Sequence, residues 1–163
     1  MLIAIISDIH NNLPNLKDCL SWCRENLIDK IICCGDIDNK NTLYNLSSWF
    51  AGEIFVVRGN SDNYEESSLI KFNNLKYFDE SGLIKLDNLQ IGFCHEPRKI
   101  PKILKKPEHL DFVFYGHTHK PWIEKKDDTI IANPGNIGGI IYPATFSTLD
   151  TKTKILNLKR LSD

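Results

Sequence analysis

Apolar residues fall into short, dense blocks along the first third of the chain. LIAIIS at 2–7, KIICC at 30–34 and EIFVV at 53–57 are continuous runs of strand length, rich in Ile and Val, and each reads as a strand buried on both faces. Between them the period lengthens. Pro14 to Asn26 carries Leu16, Leu20, Cys23 and Leu27 on one stripe of a helix, and Thr42 to Phe50 reads as a second helix. Strand, helix, strand, helix, strand with short connections implies parallel pairing and right-handed crossovers.

After Asp62 the pattern changes to the short apolar or alternating runs LKYF, LIKL, LQIGFC, FVFYG, TIIAN, ATFSTLD and KILNLK, separated by turn residues. Strands therefore dominate the second half. An α/β half followed by a strand-rich half predicts two packed sheets with helices outside, in one domain over residues 1–163. The size, 18.7 kDa with 42% hydrophobic residues, suits one such core. No repeat or low-complexity tract interrupts it.

Charge narrows the partners. The chain has 20 Lys plus Arg against 21 Asp plus Glu, so no overall field favours a stable nucleic acid complex or an anionic membrane. The first apolar run is short, lacks a basic flank and is broken by Asp8, which predicts neither a signal peptide nor a membrane span and hence a cytoplasmic protein. The 5 cysteines lack paired C-x-x-C spacing and read as reduced, buried, small apolar residues.

The unusual residues sit where strands end. Asp8 and His10 are two positions apart, so both can point to one spot beyond the first strand, as metal ligands, an acid/base pair or a turn cap. The second strand leads to Gly35 and Asp36, and the third to Gly59, Asn60 and Asp62. Later strands end at His95 and at the pair His117 and His119, whereas His109 stands apart. The carboxyl ends of parallel strands lie together, and ligands of open α/β sheets bind there. So many polar groups gathered without partners would cost too much desolvation, and a bound cation is the simplest compensation. Imidazole, carboxylate and amide without thiolate favour a first-row divalent metal such as Mn, Fe, Co, Ni or Zn over Mg. The set is too large for one tetrahedral ion and points to two ions sharing a carboxylate.

Taken in order, SDIH (7–10), GDID (35–38), GNSD (59–62), CHEP (94–97), GHTH (116–119) and NPGN (133–136) resemble the blocks of the calcineurin-like metallophosphoesterase superfamily, in particular its small, cap-less YfcE-like phosphodiesterase branch. The resemblance implies a four-layer α/β/β/α sandwich of two mixed sheets. It also implies one ion on Asp8, His10, Asp36 and His119, a second on Asp36, Asn60, His95 and His117, and a hydroxide between them that attacks phosphorus. Asp36, Asn60 and Asp62 then stand closest to the chemistry, with Asp62 chiefly orienting a ligand. Much of the superfamily has His where this chain has Ser61, so the leaving-group acid is weakened.

Arg58, Ser61 and Arg98 are candidate substrate contacts, and Arg98 opens a basic stretch with Lys99, Lys102, Lys105 and Lys106 that reads either as a solvated helix face or as an electropositive lip. Asn136 replaces a Ser usual in relatives, and Trp122 follows GHTH closely enough to rim the pocket. The expectation is a phosphodiesterase for small phosphodiesters with two divalent ions, manganese first. The alternative is a metal-stabilised scaffold of the same fold. A nuclease ranks last, and either a monomer or a homo-oligomer is compatible with the sequence.

Overall fold

A computed structural model describes residues 1–65, 71–105 and 109–161. The continuous apolar runs form β1 (Leu2–Ile6), β2 (Lys30–Cys33) and β3 (Glu53–Val57). Because side chains alternate, each strand serves two cores. Ile3, Ile5, Ile32, Phe55 and Val57 face a second sheet, while Ala4, Ile6, Ile31, Cys33, Ile54 and Val56 pack under helices. Those helices are α1 (Leu13–Glu25) and α2 (Lys40–Trp49), capped by Asn12 and Asn39, whose side chains accept from the amides of Asn15 and Thr42.

Leu16, Leu20 and Cys23 are buried as expected, but Leu27 is not. α1 stops at Glu25, and Leu27, in the left-handed region at φ 54°, turns its side chain to solvent at 89% exposure. The buried residue here is the next one, Ile28.

The second half supplies β4 (Leu75–Phe78), β5 (Ser81–Leu86), β6 (Leu89–Cys94), a 3-10 turn at Pro97–Lys99, α3 (Ile100–Ile103), β7 (Phe112–Phe114), β8 (Trp122–Lys126), β9 (Thr129–Asn133), β10 (Thr145–Asp150) and β11 (Leu156–Arg160). One sheet has the order β11-β10-β1-β2-β3-β4, with β1 to β4 parallel and β10 antiparallel to both neighbours. The other has the order β5-β6-β7-β9-β8, with a parallel centre and antiparallel edges. α3 covers the far side of the second sheet through Ile103, over Cys94, Val113 and Ile131. The result is the α/β/β/α sandwich of two mixed sheets, with a thin fourth layer.

β8 was not anticipated. All five of its residues are exposed, and it is held by backbone pairing to β9; its two apolar residues, Trp122 and Ile123, are adjacent and give no alternating pattern. The five cysteines are free and buried. Among the described residues no helix is long and apolar enough to cross a membrane.

Candidate metal centre

The ends of β1, β2, β3, β6 and β7 deliver their loops to one rim. Asp8 N donates to Gly35 O at 2.9 Å, and Gly116 N donates to His95 O at 3.0 Å, tying the first sheet's loops together and likewise the second's. The two sets meet where the His117 amide donates to both Asp8 carboxylate oxygens, at 3.1 and 3.0 Å. Glycine makes this approach possible: a β-carbon on Gly116 would lie less than 3 Å from Asp8 Oδ2 and Ser7 Oγ.

Seven side chains converge in two adjoining nests. In the first, His10 Nε2 lies 3.1 Å from His119 Nε2, 3.7 Å from Asp36 Oδ2 and 3.9 Å from Asp8 Oδ1. His119 Nε2 lies 3.4 Å from Asp8 Oδ1. In the second, Asn60 Oδ1 lies 2.9 Å from His95 Nε2 and 2.7 Å from His117 Nδ1, and His95 Nε2 lies 3.3 Å from Asp36 Oδ2. Asp36 Oδ2 thus borders both nests. Asp8 is central too, since it lies within 4.8 Å of donor atoms on His10 and His119 and also on Asp36 and His95. Asp8, Asp36 and His95 form a buried floor, while Asn60 and His117 are exposed at the mouth.

Asp8, His10, Asn11, Asp36, Asp38, His117 and His119 all have positive φ, between 46° and 79°. The alternation expected of a strand therefore does not bring Asp8 and His10 together, because the chain has already left β1 in a left-handed turn. Asp, Asn and His tolerate this conformation better than other non-glycine residues.

The donor chemistry fits divalent cations. His95 Nδ1 faces Cys34 O at 2.8 Å and so carries the ring proton, leaving the Nε2 lone pair facing the oxygens of Asn60 and Asp36. His119 Nδ1 faces Ile140 O at 3.3 Å, and His10 Nδ1 faces Asp38 Oδ1 at 3.0 Å, so their Nε2 lone pairs meet each other between two carboxylates. Acceptors facing acceptors call for positive charge among them. The same demand shows in the acid–base balance. Burial pushes the Asp36 carboxyl up, yet His95 and the Ser61 amide outweigh it and hold it at about 2. Burial likewise opposes charge on His95, but Asp36 prevails and raises its pKa, and the bond to Asp8 raises that of His119 against a smaller burial effect.

The sequence profile of the calcineurin-like phosphoesterase superfamily domain matches residues 1–154. The chain belongs to that superfamily. It is 28% identical over 159 residues to phosphodiesterase MJ0936 of Methanocaldococcus jannaschii, covering 94% of this chain and 95% of that protein. It is 25% identical over 180 residues to phosphodiesterase YfcE of Escherichia coli, covering all of this chain and 94% of the relative. Among solved structures, an archaeal phosphodiesterase superposes with a TM-score of 0.88 at 26% identity, covering 99% of this chain and 100% of the other. The zinc complex of Vps29 from Entamoeba histolytica superposes at 0.71 and 22% identity over 98% of both chains, a likeness of fold alone.

Within this phosphoesterase frame, the remaining residues of the GDID and GNSD blocks act on the main chain and on one another. Asp62 accepts from the amides of Ile37 (2.7 Å), Asp38 (2.8 Å) and Gly59 (2.7 Å), which locks the Asp36 loop to the Asn60 turn. Its contacts are thus with the main chain of the ligand-bearing loops. Ser61 donates its amide to Asp36 Oδ1 at 2.9 Å and its hydroxyl to Asp38 Oδ1 at 2.5 Å, so the hydroxyl hydrogen is committed within the protein. Asp38 itself escaped sequence reasoning. The only available signal was a second carboxylate inside GDID, which looks like any solvated turn residue. Asn136, in the place where relatives usually have Ser, is fully buried and braces the His119 loop, donating to His119 O and accepting from Ile140 N.

The candidate substrate contacts are already engaged. Arg58 Nη2 donates to Asp62 O at 3.4 Å, and Tyr77 beside it strengthens its hold on its charge. Arg98 forms a two-pronged pair with Glu96, at 2.6 and 3.0 Å. Lys99 also pairs with Glu96, and Lys102 pairs with Glu80, so Arg98, Lys99 and Lys102 are already paired, as suits the solvated-face reading more than the electropositive lip; Lys106 lies outside the described residues. Trp122 lines an apolar groove of about 370 Å³ with Pro121, Ile123, Leu156 and Leu158, and no metal-site residue lines that groove. His109 faces Asp111, away from the centre.

Proposed function

We propose that this chain is a cytoplasmic, dimetal-dependent phosphodiesterase acting on small phosphodiesters. The observation that carries the reading is the pair of lone-pair nests with Asp36 Oδ2 between them, 3.7 Å from His10 Nε2 and 3.3 Å from His95 Nε2. Asp8, His10, Asp36 and His119 would hold one ion and Asp36, Asn60, His95 and His117 the other. Divalent cations bound there, manganese first and nickel, cobalt, iron or zinc as alternatives, supply Lewis acidity and lower the pKa of water. The buried carboxylates fix the floor, and the exposed Asn60 and His117 leave the mouth open to a phosphate ester. Because the Ser61 hydroxyl is given to Asp38, the chain offers no leaving-group acid at that position, which suits diesters with good leaving groups. Five buried free thiols fit a reducing compartment.

The test is hydrolysis of bis-p-nitrophenyl phosphate and p-nitrophenyl phosphate with Mn, Ni, Co, Zn or Mg, alongside Asp36→Ala. Diester cleavage that chelator and Asp36→Ala both abolish, with little monoester cleavage, supports the assignment. Cleavage indifferent to both overturns it. One observation favours a scaffold instead: Trp122, Ile123 and Leu158 are each about half exposed (49%, 59% and 53%) and form an apolar face on which a protein partner could sit. Metal that raises the melting temperature without conferring hydrolysis decides for the scaffold.

A further inference from the structure

Asp38 is a carboxylate outside the candidate ligand set whose side chain touches one of the candidate ligands, His10. Its Oδ1 lies 3.0 Å from His10 Nδ1 and accepts the Ser61 hydroxyl at 2.5 Å, while its Oδ2 accepts from Asn11 Nδ2 at 3.2 Å. Asn11 is held in turn by the Thr42 hydroxyl at 2.6 Å. The Asp38 backbone is pinned at both ends: its amide donates to Asp62 Oδ1 at 2.8 Å, and its carbonyl accepts from Asn63 N at 2.6 Å. Its φ of 79° belongs to the strained left-handed set, so the whole arrangement is over-determined by bonds that hold one carboxylate against one imidazole.

We propose that Asp38, clamped by Ser61, is a positioning residue that fixes the tautomer and ring orientation of His10, so that the metal-facing Nε2 is always the unprotonated nitrogen. The inference rests on the metal-centre reading above and adds a residue to it. The physical reason is simple. An imidazole has two nitrogens and, when neutral, one hydrogen; a carboxylate at Nδ1 keeps the hydrogen there and makes the opposite lone pair a better ligand. Among the described residues no other group does this for His10, whereas carbonyl oxygens of Cys34 and Ile140 do it for His95 and His119. Ser61 ties the device to the rest of the centre: its amide holds the free oxygen of Asp36 while its hydroxyl holds Asp38, so one residue sets both the shared carboxylate and the orienter of His10. Where the superfamily resemblance places a histidine, this chain has a residue that supports ligands.

The experiment compares wild type with Asp38→Ala, Asp38→Asn and Ser61→Ala in the full chain, by Co2+ titration followed in the visible spectrum and by nitrogen NMR of the His10 ring in chelator-treated protein. Thermal melts confirm folding. Asp38→Ala is expected to weaken binding of one of two Co2+ equivalents by roughly 10- to 100-fold and to lose the Nδ1-protonated signature of His10. Asp38→Asn, whose side-chain carbonyl still accepts from Nδ1, is expected to keep that signature and recover most of the affinity. Ser61→Ala should fall between. A folded Asp38→Ala protein with an unchanged His10 tautomer overturns the proposal, as does wild-type affinity for both Co2+ equivalents. If wild type binds no Co2+, the metal-centre reading fails, while the ring spectra still decide whether Asp38 sets the tautomer.

Discussion

Gly59→Ala should damage the centre without replacing any candidate ligand. Gly59 follows β3 and runs against the Asp36 loop, and its φ is not positive, so alanine imposes no backbone strain there. The obstacle is space. A β-carbon at this position would lie 2.1 Å from Asp36 Oδ1, 2.2 Å from Asp36 N and 2.9 Å from Asp36 Cα, where ordinary contact begins near 3.4 Å, so the two loops must part by more than about an ångström. Neither side is free to do so, because Gly59 N is tied to Asp62 Oδ2 at 2.7 Å and the Asp36 carbonyl accepts from Ile9 and His10. Overpacking of this kind costs about 1–3 kcal/mol. In a chain of 163 residues that is a drop of roughly 2–12 °C in melting temperature.

The larger effect falls on metal. Metal–ligand distances tolerate only about 0.2 Å, so a displaced Asp36 weakens both nests together. Gly138→Ala is the control: it lies against the same site, but its β-carbon would meet Asp8 O at 3.1 Å and His10 Cβ at 3.5 Å, which shifts of a few tenths relieve. Thermal melts and Mn2+ titrations of the two variants beside wild type decide the matter. If Gly59→Ala melts with wild type and binds two Mn2+ equivalents as tightly, the close approach of β2 and β3 loops does not set the geometry of Asp36.

Asp62→Ala leaves the amides of Ile37, Asp38 and Gly59 without their acceptor, and at about 1–3 kcal/mol for each stranded donor it should destabilise the fold by at least ~3 kcal/mol in urea unfolding. Arg98→Ala, by contrast, removes a guanidinium already committed to Glu96, so KM for a diester should change less than about threefold; a tenfold rise would restore Arg98 as a substrate contact. Asp111, just before β7, is pushed up by burial, but Lys154, the Gln90 amide and His109 hold its carboxyl below the ordinary range. With the folded pKa below the unfolded one, this stabilisation is present in full above about pH 4 and fades as pH falls through the folded value. Asp111→Asn should therefore lower stability at pH 7, with the gap to wild type closing in acid; a gap independent of pH would refute the linkage.

The parts of the fold legible in the sequence are those that burial writes into composition. β1, β2 and β3 lie between two cores and appear as unbroken apolar runs. β8 was missed, because an edge strand held by main-chain bonds needs no buried alternating face, and its apolar residues are only the adjacent Trp122 and Ile123. Leu27 misled for a related reason: the helical period runs on to Leu27, two residues past the end of α1 at Glu25, where the chain already bends. At the site, strand ends told which residue types gather, since the topology of parallel strands brings them to one rim. Orientation was not legible. Nothing in the order of residues says that His117 presents Nδ1 where His95 presents Nε2, that the Ser61 hydroxyl is consumed by Asp38, or that Arg98 is neutralised by Glu96. These depend on side chains meeting across sequence, or on rotamers, and leave no periodic trace.

The left-handed backbone beneath the site also constrains how this protein can be redesigned or can drift. Seven neighbouring positions from Asp8 to His119 demand a conformation that penalises bulky and branched side chains. Retuning the centre for a softer metal by exchanging one ligand for a longer or branched residue therefore carries a conformational penalty as well as a change of donor atom. Selectivity should be easier to alter from the surrounding layer than from the ligands themselves.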